Sequence, residues 1–223
     1  MSRALFVILI GLGGAAILIS LGVWQVQRLT WKQGILAEIN GRIEAPAVPL
    51  PEQPDPKEAA YLPVKVTGSF EGQTLRVLVS QKDQGAGYRL ITALNTGDRR
   101  VLVDRGYIPN EAAAPPLPDG PVTITGNLQW PQETDSFTPA PDIDGNIWFA
   151  RDVTAMSQLL QSEPVLVVAR ALSYDAAPVS PLPVDTSRIP NDHLQYAITW
   201  FSLAAIWAAM SLYFLRRRAK TES

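Results

Sequence analysis

Two long apolar runs, one near each end of the chain, dominate the pattern of hydrophobic and polar positions. The first covers Ala4 to Val26 without a charged residue, and the second covers Leu194 to Leu215. A helix rises about 1.5 Å per residue, so about 20 mostly apolar residues cross the hydrocarbon core of a bilayer. The pattern therefore predicts two transmembrane helices, at 4–26 and 193–215.

The first run has to be distinguished from a cleavable secretory signal. It is longer than the apolar core of a signal peptide, and it continues into Trp24 and Gln25 without a convincing small-residue cleavage site. Trp24 also suits the boundary between membrane and water. These features favour a permanent anchor. The lack of a preceding Arg-rich, Ser-rich amphipathic stretch favours a bacterial inner membrane over a mitochondrion.

Charged residues beside the two runs predict the orientation. Four basic residues lie within 216–220, directly after the second run, and such a cluster favours the cytoplasmic side. Arg28 and Lys32 follow the first run and oppose this orientation, but the C-terminal cluster is stronger. We therefore expect residues 1–3 and 216–223 in the cytoplasm and 27–192 in the periplasm.

Small residues recur at helical spacing in both runs. Gly11 is followed by Ala15 in the first run, and Ala204 by Ala208 in the second. Such pairs allow two helix backbones to approach closely. Gly and Ala are also simply common in membrane helices, so close packing and composition remain equal explanations.

The middle of the chain predicts an α+β arrangement built mainly from strands. After a short helical stretch that reaches Ile39 and a Pro-rich linker over 45–63, short β-type runs alternate with Gly, Pro and Asp turns. The runs are Val64 to Phe70, Leu75 to Gln81, Tyr88 to Leu94, Arg100 to Asp104, Val122 to Leu128, Ile147 to Arg151 and Val165 to Leu172. Their spacing predicts an antiparallel barrel or sandwich between the two membrane helices. One helix is expected from Asp152, as N-cap, through Leu160, with a core-facing side made of Val153, Met156, Leu159 and Leu160.

Composition excludes several functions. Residues 27–192 carry a net charge of −6, against +1 for 1–26 and +3 for 193–223, so the middle lacks the basic surface that nucleic acid requires. The chain has no cysteine and one histidine. Thiolate metal sites, disulfides, cysteine nucleophiles and sites with two imidazoles from one chain are thereby excluded. A haem held by one axial imidazole remains compatible.

His193 is the sharpest candidate because it lies where a loop enters the second apolar run. In a helix, one face would carry His193, Tyr196, Ala197, Trp200, Ala204 and Trp207. In the expected topology, Trp24, Gln25 and Arg28 leave the first helix at the same depth. A haem there could take His193 as axial ligand, with its propionates at Arg28, Lys32 or Arg188. The alternative is an ordinary interfacial histidine with aromatic belt anchors.

Two further candidates come from the middle region. Arg105, within Val103 to Pro109, suggests one of two roles. Its guanidinium could bind a carboxylate through two parallel hydrogen bonds or, as is more common, it could pair with a nearby Asp and hold a loop in place. A Ser-Lys hydrolase would need Ser69 or Ser80 beside a desolvated Lys65 or Lys82. None of these residues lies in a recognisable motif.

Several blocks of residues, in the same order, resemble the Surfeit locus protein family, which consists of membrane-bound assembly factors of cytochrome c oxidase. The blocks are Gly22, Trp24-Gln25, Arg28 and Trp31-Lys32; Val64 to Phe70; Val103 to Pro109; Ile147 to Phe149 with Asp152; and Asn191, His193, Tyr196-Ala197 and Trp200-Phe201. The resemblance spans nearly the whole chain. Tyr107 and Asp104 depart from the Trp and Asn expected there, in what we interpret as an external loop.

The resemblance implies a two-span, non-enzymatic assembly factor that binds haem a and assists its insertion into the catalytic subunit of the oxidase. His193 is the implied iron ligand, and Tyr196, Trp200, Trp24, Gln25 and Arg28 complete the expected site. The implied partners are that catalytic subunit, the haem a synthesis machinery and the lipid bilayer. The alternative is a cofactor-free membrane-anchored scaffold that holds oxidase subunits during assembly.

Overall fold

The computed structural model describes residues 3–187 and 189–221, and the chain divides into two compact units. Met1–Glu38 and Thr186–Ser223 form the first, which we call the helical unit. Ile39–Asp185 form the second, which we call the sheet domain. The predicted fold class, two long apolar helices flanking a strand-rich domain with one short helix, is confirmed.

The first helix, α1, is longer than the sequence pattern predicts. It runs without interruption over Arg3–Glu44, so the separate short helix expected near Ile39 is its continuation. No proline interrupts the stretch between Val26 and Ile39, and Gly34 costs only about 1 kcal/mol in a helix interior. The part Ile8–Glu44 is apolar and long enough to cross a membrane.

The last helix, α3, begins at His193, as the pattern predicts, and covers His193–Thr221. Its part His193–Arg217 is also long and apolar enough for a membrane crossing. Ala197 and Ala204 are buried, and a side chain on Gly22 would overlap the Phe201 ring. Gly22 thus makes room beside α1 for an aromatic ring of α3, and of the predicted pair in α3, Ala204 is buried whereas Ala208 is exposed.

Seven strands and one short helix make up the sheet domain. They are β1 (Val48–Pro49), β2 (Pro63–Gln81), β3 (Gly85–Asn95), β4 (Arg100–Pro109), β5 (Val122–Gln129), β6 (Ile147–Trp148), α2 (Val153–Leu159) and β7 (Leu166–Leu172). The strand order is β1-β2-β3-β4-β7-β5, and β2 also pairs with β5. Of the predicted barrel and sandwich, the structure is therefore a barrel, closed by the long strand β2.

The strand pattern differs from the prediction in four respects. The two runs expected at 64–70 and 75–81 are one strand, β2, with a bulge between Glu71 and Thr74. The run expected to end at Asp104 continues to Pro109 as β4, and the run expected at 147–151 pairs only over Ile147–Trp148. The sheet is mixed, because the pairs β1–β2, β2–β6 and β4–β7 are parallel.

Side chains alternate between the two faces of each strand, and apolar side chains on each face of the barrel wall form a core. One core, which includes Val101, Val103 and Val167, takes residues from all five barrel strands and so fills the interior. The other combines Leu102 and Leu166 of the outer face with α2. As predicted, Asp152 caps α2, with Oδ1 accepting a hydrogen bond from Ala155 N at 3.0 Å. Leu159, expected in the core, is 38% exposed.

Candidate cofactor site at the start of α3

Two of the predicted site residues, His193 and Gln25, are joined by a hydrogen bond. The imidazole Nδ1 of His193 lies 2.8 Å from Oε1 of Gln25, which belongs to α1. Gln25 is a buried polar residue, and His193 is partly buried. An amide oxygen only accepts hydrogen bonds, so this contact places the ring proton on Nδ1. The lone pair of Nε2 then remains free to bind a metal.

Gln25 thus orients the imidazole in the way that protein partners orient metal-binding histidines. Such a ligand usually donates its other ring N–H to a carboxylate, a carbonyl or water, which fixes both the tautomer and the ring orientation. The start of α3 fixes the backbone at the same point, because Tyr196 N donates to Asp192 O at 3.1 Å. The histidine is therefore held from its backbone and from one ring nitrogen.

Two cations of α1 lie within the next two turns beyond Gln25. Lys32 Nζ donates to the carbonyl oxygen of Pro190, in the segment that leads into α3. The guanidinium of Arg28 lies 4.2 Å from the ring centroid of Trp31, and Arg28 is exposed. Lys32 thus helps to hold the His193 segment, whereas Arg28 is available to an anionic group. Arg188, the third predicted propionate partner, lies outside the described residues.

The aromatic residues of the predicted site divide into two groups. Trp200 is partly buried, on the same face of α3 as the buried Ala197 and Ala204. Tyr196 and Trp24 are 54% and 50% exposed. The structure therefore brings His193 and Gln25 into direct contact, and it leaves the rings of Tyr196 and Trp24, their near neighbours in sequence, exposed.

Farther along the two helices, Trp207 fills a notch in α1. Its indole Nε1 donates to Gly11 O at 3.1 Å, and a side chain on Gly14 would overlap the indole ring. A cavity of about 360 Å³ opens there, lined by Gly14, Ile17, Leu18, Leu203, Ile206, Trp207 and Met210. Leu18, the lining residue nearest to Gln25 in sequence, is about two helical turns from it. This apolar cavity is thus separate from the His193 site.

In the sheet domain, the structure contradicts both predictions for Arg105. The residue is fully buried, its Nε donates to Tyr174 Oη at 3.0 Å, and its guanidinium lies 5.4 Å from the Phe70 ring centroid. Among the described residues, its two terminal nitrogens have no hydrogen-bond acceptor. Arg105 therefore neither presents its guanidinium at the surface to a carboxylate nor pairs with a nearby Asp. Burial raises the pKa of Tyr174, and the charge and hydrogen bond of Arg105 partly oppose that rise.

Asp104, the neighbouring acid, forms the centre of a buried charged cluster. Its carboxylate forms an ion pair with Arg89, lies 3.5 Å from Arg151 Nη1 and accepts from Gly106 N at 3.1 Å. Arg151 also binds Glu133, with Nε to Oε1 at 3.1 Å and Nη2 to Oε1 at 2.5 Å. We call Arg89, Asp104, Glu133 and Arg151 the Asp104 cluster. Sequence reasoning missed it because its members are far apart along the chain.

The block from Val103 to Pro109 is therefore strand rather than the external loop that we expected. Tyr107 exchanges two backbone hydrogen bonds with Ser180, at 2.8 and 2.9 Å, and its hydroxyl donates to Gln84 O at 3.0 Å. Gly106 has φ of 120°, and a Cβ there would lie 2.1 Å from Ser180 O. Only glycine fits this close approach. The block thus ties the segment around Ser180 to the sheet.

The residues of the predicted Ser-Lys dyad do not form one. Lys65 and Lys82 are both exposed, whereas a lysine that activates a serine must be desolvated. Lys65 and Ser69 lie four residues apart on the same strand, which corresponds to about 13 Å. Nor do His, Cys, Asp and Glu side chains of the described residues form any group of three or more that could hold a metal ion.

Comparisons with known proteins match most of the chain. The profile of the SURF1 family matches residues 12–205, a span that contains both Gln25 and His193. The Surfeit locus protein 1 of Homo sapiens is 32% identical over 211 residues, which cover 83% of this chain and 69% of that protein. The SURF1-like protein of Rickettsia felis is 33% identical over 213 residues, which cover 91% of this chain and 92% of that protein.

Proposed function

The chain belongs to the SURF1 family, and on that premise we propose that it is a membrane-anchored assembly factor for cytochrome c oxidase that carries haem a on His193. Its task is to assist the insertion of haem a into the catalytic subunit of the oxidase. It performs no chemistry on the haem. In this proposal both termini are cytoplasmic, the sheet domain is periplasmic, and the membrane is a bacterial inner membrane.

The single observation that carries the proposal is that His193 uses one of its two ring nitrogens in a hydrogen bond. Nδ1 lies 2.8 Å from Oε1 of the buried Gln25, and Nε2 has no hydrogen-bond partner in the segments that the structure describes, so it could bind iron. A neutral imidazole with this tautomer is a common axial ligand of haem iron. The donor set of the site therefore fits the cargo.

The surroundings of His193 fit the rest of the haem. Trp200, Tyr196 and Trp24 offer flat apolar surface to a planar macrocycle, and Arg28 offers a guanidinium to its propionates. Lys32 contributes indirectly, because it holds the Pro190 carbonyl next to the His193 segment. One imidazole on an open face, rather than two in a closed cavity, suits a carrier that must release its cargo.

The test is the visible spectrum and haem content of the full-length protein, purified in detergent from cells that make haem a. The wild-type protein is expected to carry haem a in a ratio approaching one per chain, and His193→Ala to lose it. Leu194→Ala is the matched control, because Leu194 is the next residue of α3 and is 56% exposed. Undiminished haem in His193→Ala would refute the ligand assignment.

A cofactor-free scaffold is the second candidate, and one observation favours it. Three apolar cavities along α1 and α3 are lined by residues 6–18 and 203–215, and these three do not include His193. A scaffold would hold oxidase subunits through its surface and need no enclosed site. Colour distinguishes the two candidates, since a scaffold stays colourless when purified from cells rich in haem a.

A further inference from the structure

The sheet domain displays one aromatic side chain almost completely to solvent. Phe137 is 90% exposed, whereas Phe149 is 41% exposed and the other aromatic residues of the domain are buried or partly buried. It lies in the connection between β5 and β6, which spans residues 130–146. Connections of this length are uncommon in compact domains and are frequently functional.

The backbone around Phe137 is held in a defined turn. The Oδ1 atom of Asp135 accepts hydrogen bonds from Phe137 N, Thr138 N and Thr138 Oγ1, each at 2.9 Å. Thr138 Oγ1 in turn lies 2.9 Å from Asp135 N. Exposing a phenyl ring to water is unfavourable, yet this turn keeps the ring outward rather than letting it fold back onto the domain.

Both ends of the connection are fixed to the sheet domain. Near its start, Glu133 binds the guanidinium of Arg151 and accepts from Arg151 N at 2.9 Å. Near its end, Arg76 Nη2 donates to Gly145 O at 2.9 Å, and Asn146 Nδ2 donates to Thr74 O at 2.8 Å. A group presented from a preordered segment loses little conformational freedom when it binds.

Charge around Phe137 indicates what kind of surface it meets. The stretch 131–146 contains Glu133, Asp135, Asp142 and Asp144 and has no Lys or Arg; Glu133 is paired with Arg151, so three acids remain to give the stretch its negative charge. Anionic lipid headgroups would repel it. A protein surface with basic residues around an apolar pocket would attract it, since complementary charge speeds encounter and excludes wrong partners.

We propose that the Phe137 turn, residues 135–138, is a docking element whose ring enters an apolar pocket rimmed by Lys and Arg on a partner protein. Buried aromatic anchors of this kind contribute a large share of binding energy at protein interfaces. Asp144 supplies part of the charge match, and no structural role competes with this one, because it is exposed and makes no hydrogen bond or ion pair within the described residues. The proposal holds whether or not His193 binds haem.

The experiment places a photoreactive benzoyl-phenylalanine at position 137 of the full-length protein in its native membrane. The same probe at the exposed Ala113 is the control. The expected result is one dominant protein adduct at 137, absent at 113, whose cross-linked peptide carries apolar residues flanked by Lys or Arg. Adducts with phospholipid, adducts with a second copy of this chain, or no adduct above the control would each overturn the proposal.

Charge reversal tests the second half of the proposal. Asp144→Lys is expected to lower the cross-linking yield roughly tenfold at low ionic strength. Asp98→Lys makes the same charge change in the turn between β3 and β4 and should leave the yield unchanged. A protein adduct whose yield does not respond to Asp144→Lys would refute the basic pocket. Phe137→Ala should not shift the thermal unfolding midpoint, which separates docking from folding.

Discussion

The His193 site and the Asp104 cluster both place polar atoms among apolar residues, but they use them differently. In the cluster, each carboxylate oxygen of Asp104 has a partner within the sheet domain, and Arg151 contacts two acids. At His193, one ring nitrogen has a partner and the other has none within the described part of the chain. The first arrangement stabilises a fold, and the second leaves a donor for a ligand.

Removing the centre of the Asp104 cluster should have the largest effect on the protein. Asp104→Ala leaves the buried Arg89 and Arg151 with Glu133 as the one acid of the cluster, which is expected to destabilise the sheet domain by about 3–5 kcal/mol. Denaturant unfolding of the full-length protein in detergent measures this loss. Asp104→Asn, which keeps an acceptor for Gly106 N, should lose less.

The control for this comparison is Asp98→Ala, which removes an exposed acid and should change the free energy of unfolding by less than about 0.5 kcal/mol. Equal losses for Asp104→Ala and Asp98→Ala would mean that the Asp104 cluster does not stabilise the domain. The Asp104 cluster would then not differ from the His193 site in how much it stabilises the fold.

Gln25→Leu should have an intermediate effect, confined to the helical unit. Without the Oε1 acceptor, the His193 ring loses its fixed tautomer, and haem a affinity is expected to fall about 10–100-fold. Because the chain has one histidine, ¹⁵N-labelled histidine gives the ring nitrogens of His193 alone. At pH 8, NMR of the haem-free wild type should show the proton on Nδ1, and Gln25→Leu should show a mixture.

This measurement distinguishes an error in the His193–Gln25 geometry from an error in the proposed carrier function. A proton on Nε2 in the wild type would mean that the Gln25 amide donates instead of accepts, whatever the protein binds. A proton on Nδ1 without any haem binding would leave the His193–Gln25 geometry intact and remove the carrier function.

The smallest expected effect concerns pH and Glu133. Burial alone would raise the pKa of Glu133, but the hydrogen bonds and charge of Arg151 outweigh it and lower the pKa below its usual 4.5. Its contribution to stability is therefore present above pH 4.5 and is lost as the pH falls through the lowered pKa. Because 39% of the side chain is exposed, that contribution should be about 1 kcal/mol or less.

Unfolding measured from pH 7 to pH 3 in the wild type and in Glu133→Gln checks this expectation. The variant should be less stable at pH 7, and its stability should fall less between pH 5 and pH 3. Parallel pH profiles for the two proteins would contradict the assignment of Glu133 to the Asp104 cluster.

Local patterns in the sequence predicted which helices and strands form better than they predicted how long each one is. The start of α3 at His193 and the Asp152 cap depend on neighbouring residues, and both were predicted. The bulge at Glu71 to Thr74 was not, since Gly72, with φ of 79°, looks like a turn in the sequence. Whether a glycine ends a strand or bends it depends on the strand beside it.

Dependence on distant parts of the chain also explains which site residues could be predicted and which could not. Gln25 and His193 were placed together because two membrane helices with known ends fix the depth of each residue. No comparable rule brings Arg151 to Asp104, and the charged residues within β4 suggested the end of a buried strand. The charge of Asp104 is balanced by Arg89 and Arg151, and no local pattern in the sequence reveals these pairs.

The hydrogen bond between Gln25 and His193 also sets when the site can form. The two residues lie 168 positions apart, so a ribosome adding about 5–20 residues per second needs roughly 10–30 s to pass from one to the other. All of the sheet domain is synthesised in that interval. A chain interrupted anywhere within it carries Gln25 but no histidine, so every unfinished chain lacks the proposed iron ligand.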